Sequence, residues 1–195
     1  MTALLLTLIS IASGVPAPTS AIPGEPTCLT TASRQSLAKR ASPLDSVSFA
    51  VGSARVMVCY GRPSARGRTM IGGYNVPLGR IWRTGANEPT MIHVTGSAVM
   101  LAGLRLEPGT YSLYTVPAEE EWTIIVNRSI EQWGDEGSYA DVKQQELGRG
   151  EARREKLEHH VEQFTIRPEP ARGSASALLL EWEKTRVVIG LRTAG

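Results

Sequence analysis

The strongest constraint on the fold is a period of two. "VSFAV" puts Val47, Phe49 and Val51 on one face, and "RVMVCY" does the same for Val56, Val58 and Tyr60, with Gly52-Ser53 between them as a turn. "TMIHVTG" sets Ile92 and Val94 against Met91, His93 and Thr95. Alternation of this kind suits a pleated strand with one buried face and does not suit a helix. "AVMLAGLRL", "EPGTYSLYTVP", "EWTIIVN", "ALLLEWE" and "RVVIGLR" continue the series. "LEPGT" fits a type II turn, with Pro108 presetting φ and Gly109 taking the positive-φ position. About eight short strands at this spacing predict an all-β chain: a single antiparallel β-sandwich or jelly-roll-like domain over 42–192, with at most one short helix. The chain of 195 residues, 42% hydrophobic with 12 Pro and 19 Gly, suits one buried core in a turn-rich fold. Only 139–160 resists assignment: Glu, Lys, Gln and Arg favour helix, while Gly148 and Gly150 interrupt it and no apolar stripe forms.

The N-terminus follows another rule. "ALLLTLISIA" (3–12) has the length of a secretory h-region, and small residues lead to a cleavage point after Ala21. We read 1–21 as a signal peptide and 22–41, rich in Ser, Thr, Ala and Pro, as a flexible linker, so the domain is expected to be exported to the periplasm or beyond. A buried N-terminal strand or helix is the alternative, although no charge occurs before Glu25. Cys28 and Cys59 are able to pair in an oxidising compartment. Cys59 in "VMVCY" equally fits a small buried apolar residue.

Several classes of function drop out. A net charge of +2 gives no spare basic surface for nucleic acid, and no apolar run reaches the roughly 18–20 residues of a membrane span. The three histidines, His93, His159 and His160, do not form an H-x-H pair, so neither a metal centre nor a cofactor is expected. No G-x-S-x-G elbow is present to activate a serine. Glu181 and Glu183 share a strand face beside Trp182, which suits proton transfer but is also the pattern of a solvated strand.

What remains is a loop. Positions 60–90 hold five arginines (Arg62, Arg66, Arg68, Arg80, Arg83) against one acid, Glu88, while 118–146 carry eight acids against Arg128 and Lys143. One expectation is that the two segments meet and neutralise each other. Another is a binding site. The guanidinium fork of Arg83 matches carboxylate or phosphate, Asn87 both donates and accepts, Trp82 offers a ring face, and Glu88 and His93 are the nearest groups able to move protons. A purely structural loop, with Arg83 held by carbonyls and Trp82 filling the core, competes with that view.

The blocks "SPLDSVSF", "YGRPSARGR", "WRTGANE", "PGTYSLYTVP", "EWTIIVN", "VEQFTI" and "LEWEKTRV" occur in an order that resembles the bacterial secreted family of unknown function numbered twenty-nine eleven, over about 42–191. The resemblance implies an exported, mostly β, single domain with no agreed activity, and an extended conformation for 150–166. "GGYNVPLG" is slightly longer, and "GRGEARREKLEHH" more charged, than the family pattern. The expected function is therefore a binding or structural module of the cell envelope, taking a small anionic or sugar-like ligand near Trp82, Arg83, Asn87, Glu88 and His93. Its partner would be an unidentified small molecule or envelope component. The rival expectation is a metal-independent hydrolase or isomerase using Arg83, Glu88 and His93.

Overall fold

The computed structural model describes residues 26–30, 32–134, 137–172 and 175–195; the expected leader and its cleavage point lie outside them. Strands β1 (Leu44–Val51) and β2 (Ala54–Gly61) form a hairpin across Gly52-Ser53, with Val51 opposite Ala54. After the long loop come β3 (Thr90–Thr95), the short hairpin β4 (Val99–Leu101) and β5 (Leu104–Leu106), then β6 (Gly109–Val116) and β7 (Glu121–Asn127). Two long strands, β8 (Glu146–Arg172) and β9 (Ala175–Thr193), complete one antiparallel sheet of nine strands in the order β1-β2-β3-β6-β7-β8-β9-β4-β5.

The sheet curls back on itself. Ala65 N–H donates to Glu162 O and Phe164 N–H to Pro63 O, each at 2.9 Å, so the chain leaving β2 pairs with the far half of β8. The result is the sandwich-like all-β domain that the alternation demands. Its interior takes Val56, Val58 and Tyr60 from β2, Ile92 and Val94 from β3, and Trp122, Ile124 and Val126 from β7. Met57, Cys59, Met91 and His93, on the opposite face of β2 and β3, are buried as well.

Among the described residues α-helix is confined to single turns, α1 (Arg34–Ala38) and α2 (Tyr139–Val142). Ser33 caps α1 by accepting from Ser36 N–H. Tyr139 and Val142 of α2 pack with Tyr114 and Ile125 on the outer face of β6 and β7. The region left unassigned thus divides: one turn of helix, a 3-10 turn at Lys143–Gln145, then strand from Glu146, as the family's extended segment implies.

Two local expectations need correction. "ALLLEWE" and "RVVIGLR" are halves of one strand, β9. Leu178, Leu180 and Trp182 face inward on even positions, whereas Val187, Ile189 and Leu191 do so on odd ones. Between them Glu183 adopts φ 52°, and the pairing with β8 shifts register nearby. The register against β8 shifts on both sides of this point and the parity of β9 changes with it, so both halves bury their apolar side chains. The other correction is Gly109. Its φ is not positive; it is the first residue of β6 and pairs with Val94. The left-handed turn lies earlier, at Ala102 (φ 48°) and Gly103 (φ 82°) between β4 and β5.

Candidate functional site

The loop between β2 and β3 is built from its own backbone. Trp82 and Thr115 exchange N–H···O bonds of 2.8 and 2.9 Å, which ties the loop to β6. The Trp82 ring is only 3% exposed and lies 6.0 Å from Trp182, nearly parallel at 17°, with Phe164 and Trp122 at its edges. Its Nε1 donates to Gly85 O at 3.2 Å. Thr84 (φ 59°) and Asn87 (φ 67°) take left-handed turns, and Thr90 Oγ1 donates to Thr84 O at 2.6 Å. Close backbone contact sets the depth of the loop: a Cβ on Gly61 would sit 1.9 Å from Ala86 O.

Beside this turn is a cleft of about 240 Å³. Trp82 and Trp182 form its floor, and Arg68, Asn75, Arg83 and Asn87 supply polar side chains. Arg68 donates to Ala65 O at 2.9 Å and Ser64 O at 3.0 Å. Arg83 Nη1 donates to Asn87 O at 3.2 Å, and Asn87 Nδ2 to Ser42 O at 3.1 Å. The Glu183 carboxylate accepts from Met70 and Ile71 N–H at 3.2 and 2.9 Å, fixing the far wall from β9.

Of the five residues singled out by sequence, Trp82, Arg83 and Asn87 line this cleft; Glu88 and His93 are not among the residues that line it. Glu88 is buried against Arg40 and Thr30. Burial alone would push its carboxyl up, but the bonds from Arg40 and Thr30 outweigh it and hold Glu88 below its ordinary range. His93 sits on the outward face of β3, with Nδ1 2.9 Å from Thr110 Oγ1 and burial lowering its pKa. The Glu181/Glu183 pair also separates. Glu181 accepts a forked bond from Arg167 and another from Arg186, while Glu183 holds backbone. His159 and His160 are exposed, and no cluster of His, Cys, Asp and Glu able to hold a metal ion occurs among the described residues.

Three findings add to or correct the sequence reading, one of them deciding the cysteine pairing that it left open. Arg68 and Asn75 join the cleft from a stretch whose folding no periodicity announces. Cys28 is bonded to Cys59, so the arm read as a flexible linker is fastened to β2. The expected neutralisation of 60–90 by 118–146 does not hold for the arginines at the start of the loop. Arg62 pairs with Asp45 at 3.1 Å, Arg66 donates to Ala41 O, and Arg68 uses loop carbonyls. In the acidic stretch Glu119 and Glu146 pair with Arg154 and Arg149 of β8 instead.

The model of a family described as a protein of unknown function, DUF2911, matches residues 42–191. No curated protein and no solved structure matches the chain.

Proposed function

The chain belongs to the DUF2911 family, whose description states no activity, and from its own site we propose a binding module for a small anionic, sugar-like ligand. One observation carries the proposal. The guanidinium of Arg68 lines the cleft, and no carboxylate is among the described lining residues. The described bonds of Arg68 go to neutral carbonyls, which orient the fork without cancelling its charge. Asn75 adds an amide that both donates and accepts, as a hydroxylated ligand requires. The rival catalytic reading loses support because its acid and its base, Glu88 and His93, are engaged elsewhere in the fold.

We place this activity outside the cytoplasm, in the cell envelope or beyond. The Cys28–Cys59 bond suits an oxidising compartment, and cleavage after Ala21 would leave both cysteines in the mature chain. N-terminal sequencing of protein from the native host should find the first 17–21 residues gone. An intact Met1 on protein from the cytoplasmic fraction overturns export.

The binding test is a thermal-shift titration with D-galacturonate, with D-galactose as the neutral control. The acid should raise the melting temperature saturably and the neutral sugar should not, since only a ligand that prefers the native state shifts unfolding. Arg68→Gln should abolish the shift, read against the melting temperature of the unliganded variant itself. Absence of a shift with galacturonate, phosphate and citrate alike overturns the proposal.

A further inference from the structure

Tyr74 is 97% exposed, and it stands immediately before Asn75 and Val76 of the cleft wall. An exposed aromatic at the tip of a mobile loop would mean little, but this tip is pinned. Ile71 bridges Val76, Gly72 N–H donates to Val76 O at 2.8 Å, and Gly73 N–H donates to Met70 O at 3.1 Å. Met70 and Val76 are buried at its base, and Glu183 holds the Met70 and Ile71 amides. Gly73 cannot carry a side chain, because a Cβ there would lie 2.0 Å from Thr69 O. The fold therefore presents a bare phenol ring on a fixed backbone support, next in sequence to Asn75 and Val76 of the cleft wall.

Inside the cleft the two tryptophan rings offer little surface for stacking. Trp82 is 3% and Trp182 1% exposed, and each covers the other. A ligand that used only the cleft would make ionic and hydrogen-bonding contacts and would leave Tyr74 in water. We propose that the ligand is longer than the cleft: an acidic oligosaccharide whose terminal sugar acid meets Arg68 and whose next unit packs its apolar ring face on Tyr74. A pinned aromatic with few torsions loses little freedom on contact, so such a platform adds affinity at small entropic cost. Charge favours the same occupant, because Arg68 selects the acid end and the ring tolerates any pyranose beyond it.

This inference rests on the cleft's being an anion site, and calorimetric titration separates the two. The probes are D-galacturonate and its linear dimer and trimer, with wild type, Tyr74→Ala and Arg68→Gln. Wild type should bind the dimer roughly tenfold more tightly than the monomer. Tyr74→Ala should bind monomer as wild type does and lose the gain on the dimer. Arg68→Gln should lose both. Equal monomer and dimer affinities in the wild type, or a dimer gain that survives Tyr74→Ala, overturn the platform and leave the anion site standing. No binding of any of these probes overturns the platform, and the anion site falls with it where phosphate and citrate also fail to bind.

Discussion

Glu88 and Arg40 form a two-point ion pair, Oε2 to Nη1 at 2.6 Å and Oε1 to Nη2 at 2.7 Å, across 48 positions of sequence. Thr30 Oγ1 donates to the same carboxylate at 2.6 Å. The side chains are 11% and 10% exposed, so the pair lies largely out of water and locks the N-terminal arm to the loop that carries the cleft. The single acid of the arginine-rich loop is thus a fastening point and not a proton donor.

Replacing Glu88 with Gln should leave Arg40 poorly compensated and cost about 3 kcal/mol, measured by urea unfolding at neutral pH. Acid should reveal the same contact. A carboxyl held below its ordinary value of 4.5 stabilises the fold above that value and loses its contribution as the pH falls through the folded pKa. Stability of the wild type should therefore fall below pH 4.5 more steeply than that of Glu88→Gln. Parallel acid curves would mean that the ion pair does not support the fold.

The Cys28–Cys59 bond fastens the arm at a second point, closing a separation of 31 residues. Loop-closure entropy for that length predicts a loss of about 4 kcal/mol on reduction or in the Cys28→Ser, Cys59→Ser double variant. Melting with and without reductant checks it. The two fastenings act on one segment, so combining the double variant with Glu88→Gln should cost less than the two losses added. Strict additivity would show the arm attached at independent sites.

The strands could be read because burial of one face imposes a period of two, and Val56, Val58, Tyr60, Ile92 and Val94 obey it. The second face of β2 and β3 was harder, since Met57 and His93 look like ordinary outward residues until something covers them. In β9 the change of parity at Glu183 hid the continuity of the strand, because it leaves two segments that each resemble a complete strand. The site was half readable. Arg83 and Asn87 sit in a compact block with turn chemistry, whereas Arg68 and Asn75 flank a stretch whose Met70 and Ile71 amides are held by the Glu183 carboxylate, a contact that no local pattern encodes. Glu88 and His93 were chosen for nearness in sequence, and the fold sends them to other surfaces.

Gly61 tests whether the loop depends on backbone contact. A methyl group there would meet Ala86 O at 1.9 Å, and a carbonyl of the main chain cannot rotate aside. Gly61→Ala should destabilise by about 1–3 kcal/mol and reduce binding at the cleft, because Ala86 and Asn87 line it. Gly190→Ala, in β9 with nothing within 4 Å of the new methyl, should melt with the wild type. If both variants melt alike, the close approach of Gly61 to the loop is not what holds it.

His93 should set the response to mild acid. Its ring is buried between Met57 and Thr110 on the neighbouring strands, neither of them charged, and Nε2 has no partner among the described residues. Burial lowers its pKa from the ordinary 6.5, so the unfolded chain takes up a proton at a pH where the folded chain still refuses it. The contribution of His93 is thus complete above pH 6.5 and is lost as the pH falls from there through the folded pKa. The slope attributable to this one group is at most about 1.4 kcal/mol per pH unit. His93→Asn keeps a donor for Thr110 but does not titrate. Urea unfolding between pH 7 and pH 5 should show the wild type losing stability while the variant stays nearly level, with the exposed His159 and His160 present in both. The slope, rather than the absolute stability, is the decisive quantity, since the smaller side chain leaves a void of its own. Equal slopes would mean that the His93 imidazole takes up its proton inside the folded protein as readily as in the unfolded chain.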